Sequence, residues 1–246
     1  MLNNIKYLVI GNGRLARHLK FYFDNLGIKY SSWQRATNTA QELLEWANQA
    51  TRILLAISDS AIETVILSYP QIPQNKWVHL SGALSIPGIY SAHPLGSFGE
   101  KLNPAEWYPE IYFIIEQQKG MPNITLSELL PGLPNPSAQI ISQDKPYYHS
   151  LCVLSNNFST ILFQKLFLGL EQELDIPRKA AYRYLKQTVF NLENNPNPLT
   201  GPLARQDFGT IQKNIQALQQ RDDNYADIYQ AFVKLMLPKS STLNLK

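Results

Sequence analysis

The run Gly11-Asn12-Gly13-Arg14-Leu15-Ala16 has the G-x-G-x-x-A spacing of a phosphate cradle. Gly11 makes the tight turn, Gly13 lets backbone approach a pyrophosphate, and Ala16 lets the next helix pack closely on its strand. The free N–H groups and positive dipole end of that helix would meet the phosphates. An ordinary strand-to-helix turn is the alternative. About 20 residues further on, where such sites carry an acid for a ribose hydroxyl, the chain reads Ser31-Ser32-Trp33-Gln34-Arg35. No carboxylate stands there, and the Arg35 guanidinium, helped by Ser32 or Gln34, suits a 2′-phosphate. The expected cofactor is NADP(H) rather than NAD(H), held by Gly11, Asn12, Gly13, Arg14, Leu15, Gln34 and Arg35, with Ser58 counted among them. An exposed loop arginine is the other reading of Arg35.

A second group of residues could handle a substrate. His93 follows an apolar run, has an ordinary pKa of about 6.5, and could exchange a proton with a carbinol or carbonyl as hydride moves. Ser81 could hold the same oxygen, whereas a Ser-Gly turn and a loop histidine bonded to backbone explain both residues equally. His149 and Asn157 lie on a long, otherwise apolar helix, and polar groups so placed need partners, which a substrate or a neighbouring helix would supply. Arg205 could bind a substrate carboxylate bidentately or form a surface ion pair. His18 and His79 read as structural, and Asp59 and Asp207 as helix caps. The four histidines and the acids lack metal-ligand spacing, so no metal site is expected.

These groups depend on elements legible in the pattern. Strands are expected at 5–10, 29–33, 53–57 and 77–80, alternating with amphipathic helices, which argues for a parallel sheet covered on both faces. Beyond Ser81 shorter strands are expected at 89–92, 112–115 and 139–141 around a Gly- and Pro-rich loop at 120–136. Helices follow at 148–174, 178–192, 208–220 and 224–237. A boundary near Lys145 divides an α/β domain, residues 1–145, from an all-helical domain, residues 146–246. The tail after Pro238 reads as polar and frayed. Composition agrees: 246 residues, 44% hydrophobic and 17% charged, exclude a disordered chain. With 22 Lys+Arg against 19 Asp+Glu and no basic run interleaved with aromatics, nucleic acid is not an expected partner. The single cysteine, Cys152, fits a reducing compartment. With no basic-then-apolar leader and no apolar stretch of about 20 residues, a membrane segment is not expected and a cytoplasmic location is.

Six motifs in order resemble an uncharacterised family assigned as NADP-dependent oxidoreductases: GNGRLA (11–16), LAISDSAI (55–62), VHLSGALS (78–85), HPLGSFG (93–99), YYHSLCVLSNNF (147–158) and LTGPLARQDFGTI (199–211). The resemblance implies a Rossmann-like domain followed by a helical domain of unknown function, similar to the 6-phosphogluconate dehydrogenase superfamily, with a homodimer formed through the C-terminal helices. HPLGSFG is also similar to the His-Pro-Met-x-Gly segment of prephenate and arogenate dehydrogenases, where the His meets the reacting hydroxyl; this makes His93 the leading catalytic candidate. Pyrroline-5-carboxylate and ketopantoate reductases resemble it at a similar distance. Two positions depart from the family: Ser58 stands where Pro is usual and Gln206 where Gly is usual.

The expected function is NADP-dependent oxidoreduction of a small polar metabolite, a hydroxy or keto acid or an imine. His93 would act as acid or base, Ser81 and Asn157 would orient the substrate oxygen, and His149 or Arg205 would bind its remote end. A regulatory protein that holds NADP(H) without turnover, or a scaffold with a degenerate nucleotide site, are the alternatives.

Overall fold

The computed structural model describes residues 6–236. Strand β1 (Lys6–Ile10) is apolar on both sides, and this decides the architecture of the first half. Tyr7 and Val9 pack with Leu19 and Phe23 of α1 (Arg14–Leu26), while Leu8 and Ile10 pack with Leu43 and Ala47 of α2 (Ala40–Gln49). A strand buried on both faces needs helices above and below, which is the parallel, doubly wound solution. Strands β2 (Lys29–Trp33), β3 (Arg52–Leu55), β4 (Trp77–His79) and β5 (Tyr90–Pro94) extend it, with α3 (Asp59–Ser68) between β3 and β4. Two more strands, β6 (Phe113–Gln117) and β7 (Ser137–Ile141), complete a seven-stranded sheet of order β2-β1-β3-β4-β5-β6-β7. Only the β5–β6 pair is antiparallel. The sheet is parallel over its first five strands, as expected, and gains a reversed pair at its far edge.

Ile10 at the carboxyl end of β1 is paired with both Trp33 and Leu55. The connections leaving β1 and β3 therefore part on opposite sides, and open sheets bind ligands in the crevice this leaves. Gly11 begins that crevice with φ of 123°, and a Cβ there would overlap the Ala56 carbonyl. Only glycine satisfies both demands.

Three local details differ from the sequence reading. Ser58, not Asp59, occupies the N-cap of α3; Asp59 is the first helical residue, and its carboxylate accepts a hydrogen bond from Ser81 instead. The loop-rich stretch hides a short helix, α4 (Leu126–Leu129), closed by a reciprocal Thr125–Glu128 capping box and anchored by buried Leu126 and Leu129. The long helix begins earlier than expected, as α5 (Lys145–Cys152), and passes through a π-helical turn at Val153–Phe158 into α6 (Ser159–Leu168). Among the described residues one helix, Ser142–Glu173, is long and apolar enough by length and composition to cross a membrane. Polar residues such as Asn156, Asn157, Gln164 and Lys165 interrupt it, so it is not a continuous apolar stretch.

The chain divides into two compact units, Met1–Ile161 and Leu162–Lys246. Helix α5 belongs to the first. In the second, α9 (Phe208–Gln219) and α10 (Asp223–Met236) pack through Ile211, Ile215 and Val233, and Asn214 donates to the Tyr229 hydroxyl at 3.1 Å. Asp207 caps α9 as read from sequence, accepting from the Thr210 N–H at 3.0 Å. Helix α7 (Ala180–Asn194) buries only Ala181 and exposes Tyr184, Phe190 and Leu192. The tail after Pro238 lies outside the described residues.

Gln206, at the end of α8 (Gly201–Arg205), has φ of 55°, in the left-handed region. Glycine adopts that region without a Cβ penalty. An L side chain in that region costs about 1–2 kcal/mol, partly offset in glycine by its larger unfolded-state entropy. Gln206→Gly should raise unfolding stability by up to about 1 kcal/mol, read as a higher urea midpoint; a lower midpoint would contradict the strain.

Candidate functional site

A cleft of about 1250 Å³ opens at the carboxyl ends of β1, β2 and β3. Gly11, Asn12, Gly13, Arg14 and Leu15 line it from the first turn, Gln34 and Arg35 from the end of β2, and Ser58 from the end of β3. Every residue assigned to a cofactor from the sequence thus borders one cavity. The cradle is chemically ready for an anion. Gly13 forms the N-cap of α1 without a side-chain bond, and the first turn carries no acid, so the N-terminal N–H groups have no competing side-chain acceptor there. Asn12 accepts from Lys20 Nζ at 3.0 Å, which places a further cation beside the turn.

A second cavity of about 390 Å³ lies among His93, Ser97, His149, Cys152, Asn156 and Asn157. It shares Gly96, Ser97, Asn156 and Asn157 with the first, so the two are parts of one continuous depression in the first unit. The π-helical turn at Val153–Phe158 supplies both asparagines. Such one-turn bulges re-aim side chains relative to a regular helix and concentrate at functional sites.

His93 lines the second cavity. Its Nδ1 shares a 2.7 Å hydrogen bond with the Tyr148 hydroxyl, while Nε2 has no partner among the described residues and lies beside Gly82. A Cβ on Gly82 would stand 2.7 Å from His149 and 3.0 Å from His93 Nε2, so glycine is what lets the two imidazoles approach, their centroids 6.4 Å apart. Burial, with the charges of His149 and Lys145, pushes the His93 pKa down to about 4 against the opposing pull of Asp59. The ring is neutral near pH 7.

A buried polar cluster lies near His93. Lys145 is buried and its ammonium donates to Ser91 Oγ at 2.7 Å, to Glu116 at 3.1 Å and to the Leu84 carbonyl. Glu116 also accepts from Ser85. Burial would raise the Glu116 pKa, but the Ser85 hydroxyl and the Lys145 charge outweigh it and hold the carboxyl ionised. His79 on β4 is fully buried with neither ring nitrogen bonded among the described residues, and burial, then the Lys145 charge, drives its pKa down to about 4.

The remaining sequence candidates fall elsewhere. Ser81 lines neither cavity: its hydroxyl donates to Asp59 at 2.7 Å and accepts from the Ala83 and Leu84 N–H groups, so it builds the turn after β4 rather than facing a substrate. Arg205 is exposed on α8 in the second unit. His18 is structural, as expected, bonded to the Tyr108 hydroxyl at 2.8 Å and the Gly99 carbonyl at 3.0 Å. Through Gly99, α1 holds the loop that carries Gly96 and Ser97. Sequence reasoning did not single out Tyr148, Asn156 or Lys145. The signal was the i, i+3, i+4 spacing of Lys145, Tyr148 and His149, which puts all three on one helix face.

Residues 111–236 match the family described as "Domain of unknown function (DUF2520)", and the chain belongs to that family. A comparison with curated proteins finds no match. Among solved structures, the "putative NADP oxidoreductase BF3122" of Bacteroides fragilis is similar at 17% identity, covering 96% of this chain and 99% of that one, with a TM-score of 0.72. Protein TM1727 of Thermotoga maritima is similar at 24% identity, covering 94% and 96%, with a TM-score of 0.62. Plasmodium falciparum pyrroline carboxylate reductase, solved with NADP bound, is similar at 15% identity, covering 95% and 99%, with a TM-score of 0.59. These likenesses show the fold: a Rossmann-type sheet domain followed by a helical domain.

The depressed His79 and His93 pKa values have a consequence for acid stability. Unfolded, each titrates near its ordinary 6.5, so between about pH 6.5 and 4 the unfolded chain binds more protons and stability falls on acidification. Each buried ring contributes up to about 1.4 kcal/mol per pH unit in that window. Urea unfolding at pH 7 and 5 should show this loss, and His79→Leu should reduce it; an unchanged pH slope in the variant would contradict a neutral buried His79.

Proposed function

We propose that this protein is an NADP-dependent oxidoreductase acting on a small polar metabolite with a hydroxyl, carbonyl or imine at the reacting carbon, such as a hydroxy or keto acid or a cyclic imine. One observation carries the reading: the phosphate cradle at Gly11 and the imidazole pair at His93 open into a single depression. The cleft fits a dinucleotide in its donor set, with a glycine turn that a Cβ would block, α1 N–H groups with no competing side-chain acceptor, and a guanidinium in place of a ribose-binding acid. Gly11, Asn12 and Gly13 would hold the pyrophosphate, and Arg35, with Gln34, the 2′-phosphate. When bound, the nicotinamide supplies or accepts the hydride.

The chain's own residues manage the proton. His93 is neutral, with Nε2 beside Gly82 and its ring lining the substrate cavity. The Tyr148 phenol can donate or accept, so it holds the ring in either tautomer while Nε2 gives a hydrogen bond to a carbonyl or takes the proton of a hydroxyl. Asn156 and Asn157 orient the substrate's polar groups from the bulged helix. That His93 and His149 line the same cavity favours an enzyme over a nucleotide-holding regulator, which would need no proton-transfer group there.

The metabolite is the small-molecule partner. A second copy of the chain is proposed to cover the apolar face around Tyr184 and Phe190, 65% and 57% exposed. The compartment proposed is the cytoplasm.

Fluorescence titration with NADPH and NADH at fixed salt tests the reading. NADPH should bind more tightly, and Arg35→Ala should weaken NADPH by about 10- to 100-fold while leaving NADH unchanged, the scale of one lost charge-assisted contact. His93→Asn should keep NADPH affinity and lose turnover in a screen of keto acids and cyclic imines. The same sample should weigh as a dimer by light scattering. Binding of neither cofactor would overturn the proposal.

A further inference from the structure

Lys145 is a buried charge in the first unit, and no step proposed above uses it. Its three bonds reach the loop after β4 at Leu84, β5 at Ser91 and β6 at Glu116. It stands in the first turn of α5, where Pro146 follows it at a position that needs no N–H partner. The residues three and four positions on are Tyr148, bonded to His93, and His149, packed at Gly82 beside His93. A helix's rotation and depth are set by what its buried face grips. Lys145 is the one buried residue of α5, and the two half-buried residues above it meet the proposed proton-transfer histidine.

We propose that Lys145, clamped by Glu116, is the positioning residue of this site, seating α5 so that the Tyr148 hydroxyl meets His93 Nδ1 and His149 stands at Gly82. The inference rests on the reading of His93 as the proton-transfer group, although its geometry can be tested without any substrate. Ser85 completes the clamp from the loop after β4 by donating to Glu116. The clamp therefore ties α5 at once to the two strands and the loop that border His93. The charged and titratable groups around His93 are His149, Tyr148 and Lys145 from α5, Cys152 at the end of α5, which lines the same cavity, and Asp59 from α3.

The chain has four histidines, so nitrogen-15 histidine spectra resolve each ring. In Lys145→Met the Tyr148 bond to His93 should be lost, seen as a change in the Nδ1 shift toward that of Tyr148→Phe. The His93 titration midpoint should move up by about one pH unit or more once the nearby charge is gone and the ring is wetted. Removing one partner of a buried pair can unfold a protein. The double change Lys145→Met with Glu116→Gln removes both charges at similar volume and keeps the test open. NADPH titration of each variant monitors the fold, because the cradle at Gly11 does not touch Lys145. If either variant binds NADPH like the parent and keeps both the His93 Nδ1 shift and its midpoint, Lys145 is a structural filler and the inference fails. If the parent binds no NADPH but the His93 signals move as described, the inference stands and the oxidoreductase reading fails alone.

Discussion

Pairing β1 in parallel with both β2 and β3 is the constraint from which the rest follows. Parallel strands cannot be joined by short turns, so α1, α2 and α3 must cross the sheet and cover both faces. The change of direction at β1 leaves a crevice at its carboxyl end that no connection fills. Gly11 is then favoured twice over: the chain leaves β1 with a positive φ that side chains rarely adopt, and a Cβ there would overlap the Ala56 carbonyl. The depression at Arg35, Ser58 and Ser97 is a by-product of topology, and on the proposed reading it is where the cofactor's phosphates would lie.

The second half of the site is held by electrostatics rather than by topology. Removing a buried ammonium and carboxylate from water costs several kcal/mol per ion, recovered only when hydrogen bonds saturate both. Lys145 and Glu116 meet that condition with Ser91, Ser85 and Leu84. A pair of apolar residues would fill the same space at similar stability. What the ions add is direction: the bonds are specific to β5, β6 and one loop, and they leave α5 one way to sit. The same low-dielectric wall keeps His79 and His93 neutral, so the burial that makes the site costly also tunes its proton chemistry.

Much of this was legible in the chain because it is local. The strand-turn-helix at 6–26 announces itself by a buried run, two glycines and a 3.6-residue stripe, and Arg35 follows at a fixed distance along the next strand. His93 was legible as a histidine just past an apolar run. The clamp was not, because Lys145 and Glu116 are 29 residues apart and meet only once β6 pairs antiparallel to β5. Ser81 misled for a related reason, since nothing in Ser81-Gly82 shows that the hydroxyl turns back to Asp59. The Thr125–Glu128 box was readable from its spacing and was lost among glycines and prolines. Gln206 reads as an ordinary polar residue until its left-handed backbone is seen.

The central claim is that the cradle at Gly11 and the imidazole at His93 serve one ligand. Isotope-filtered nuclear Overhauser contacts between bound NADP and labelled histidine rings test it most directly. The account predicts contacts from the nicotinamide ring hydrogens to His93 and none to His79 or His18. Saturating NADP that binds without any contact to His93 would contradict it.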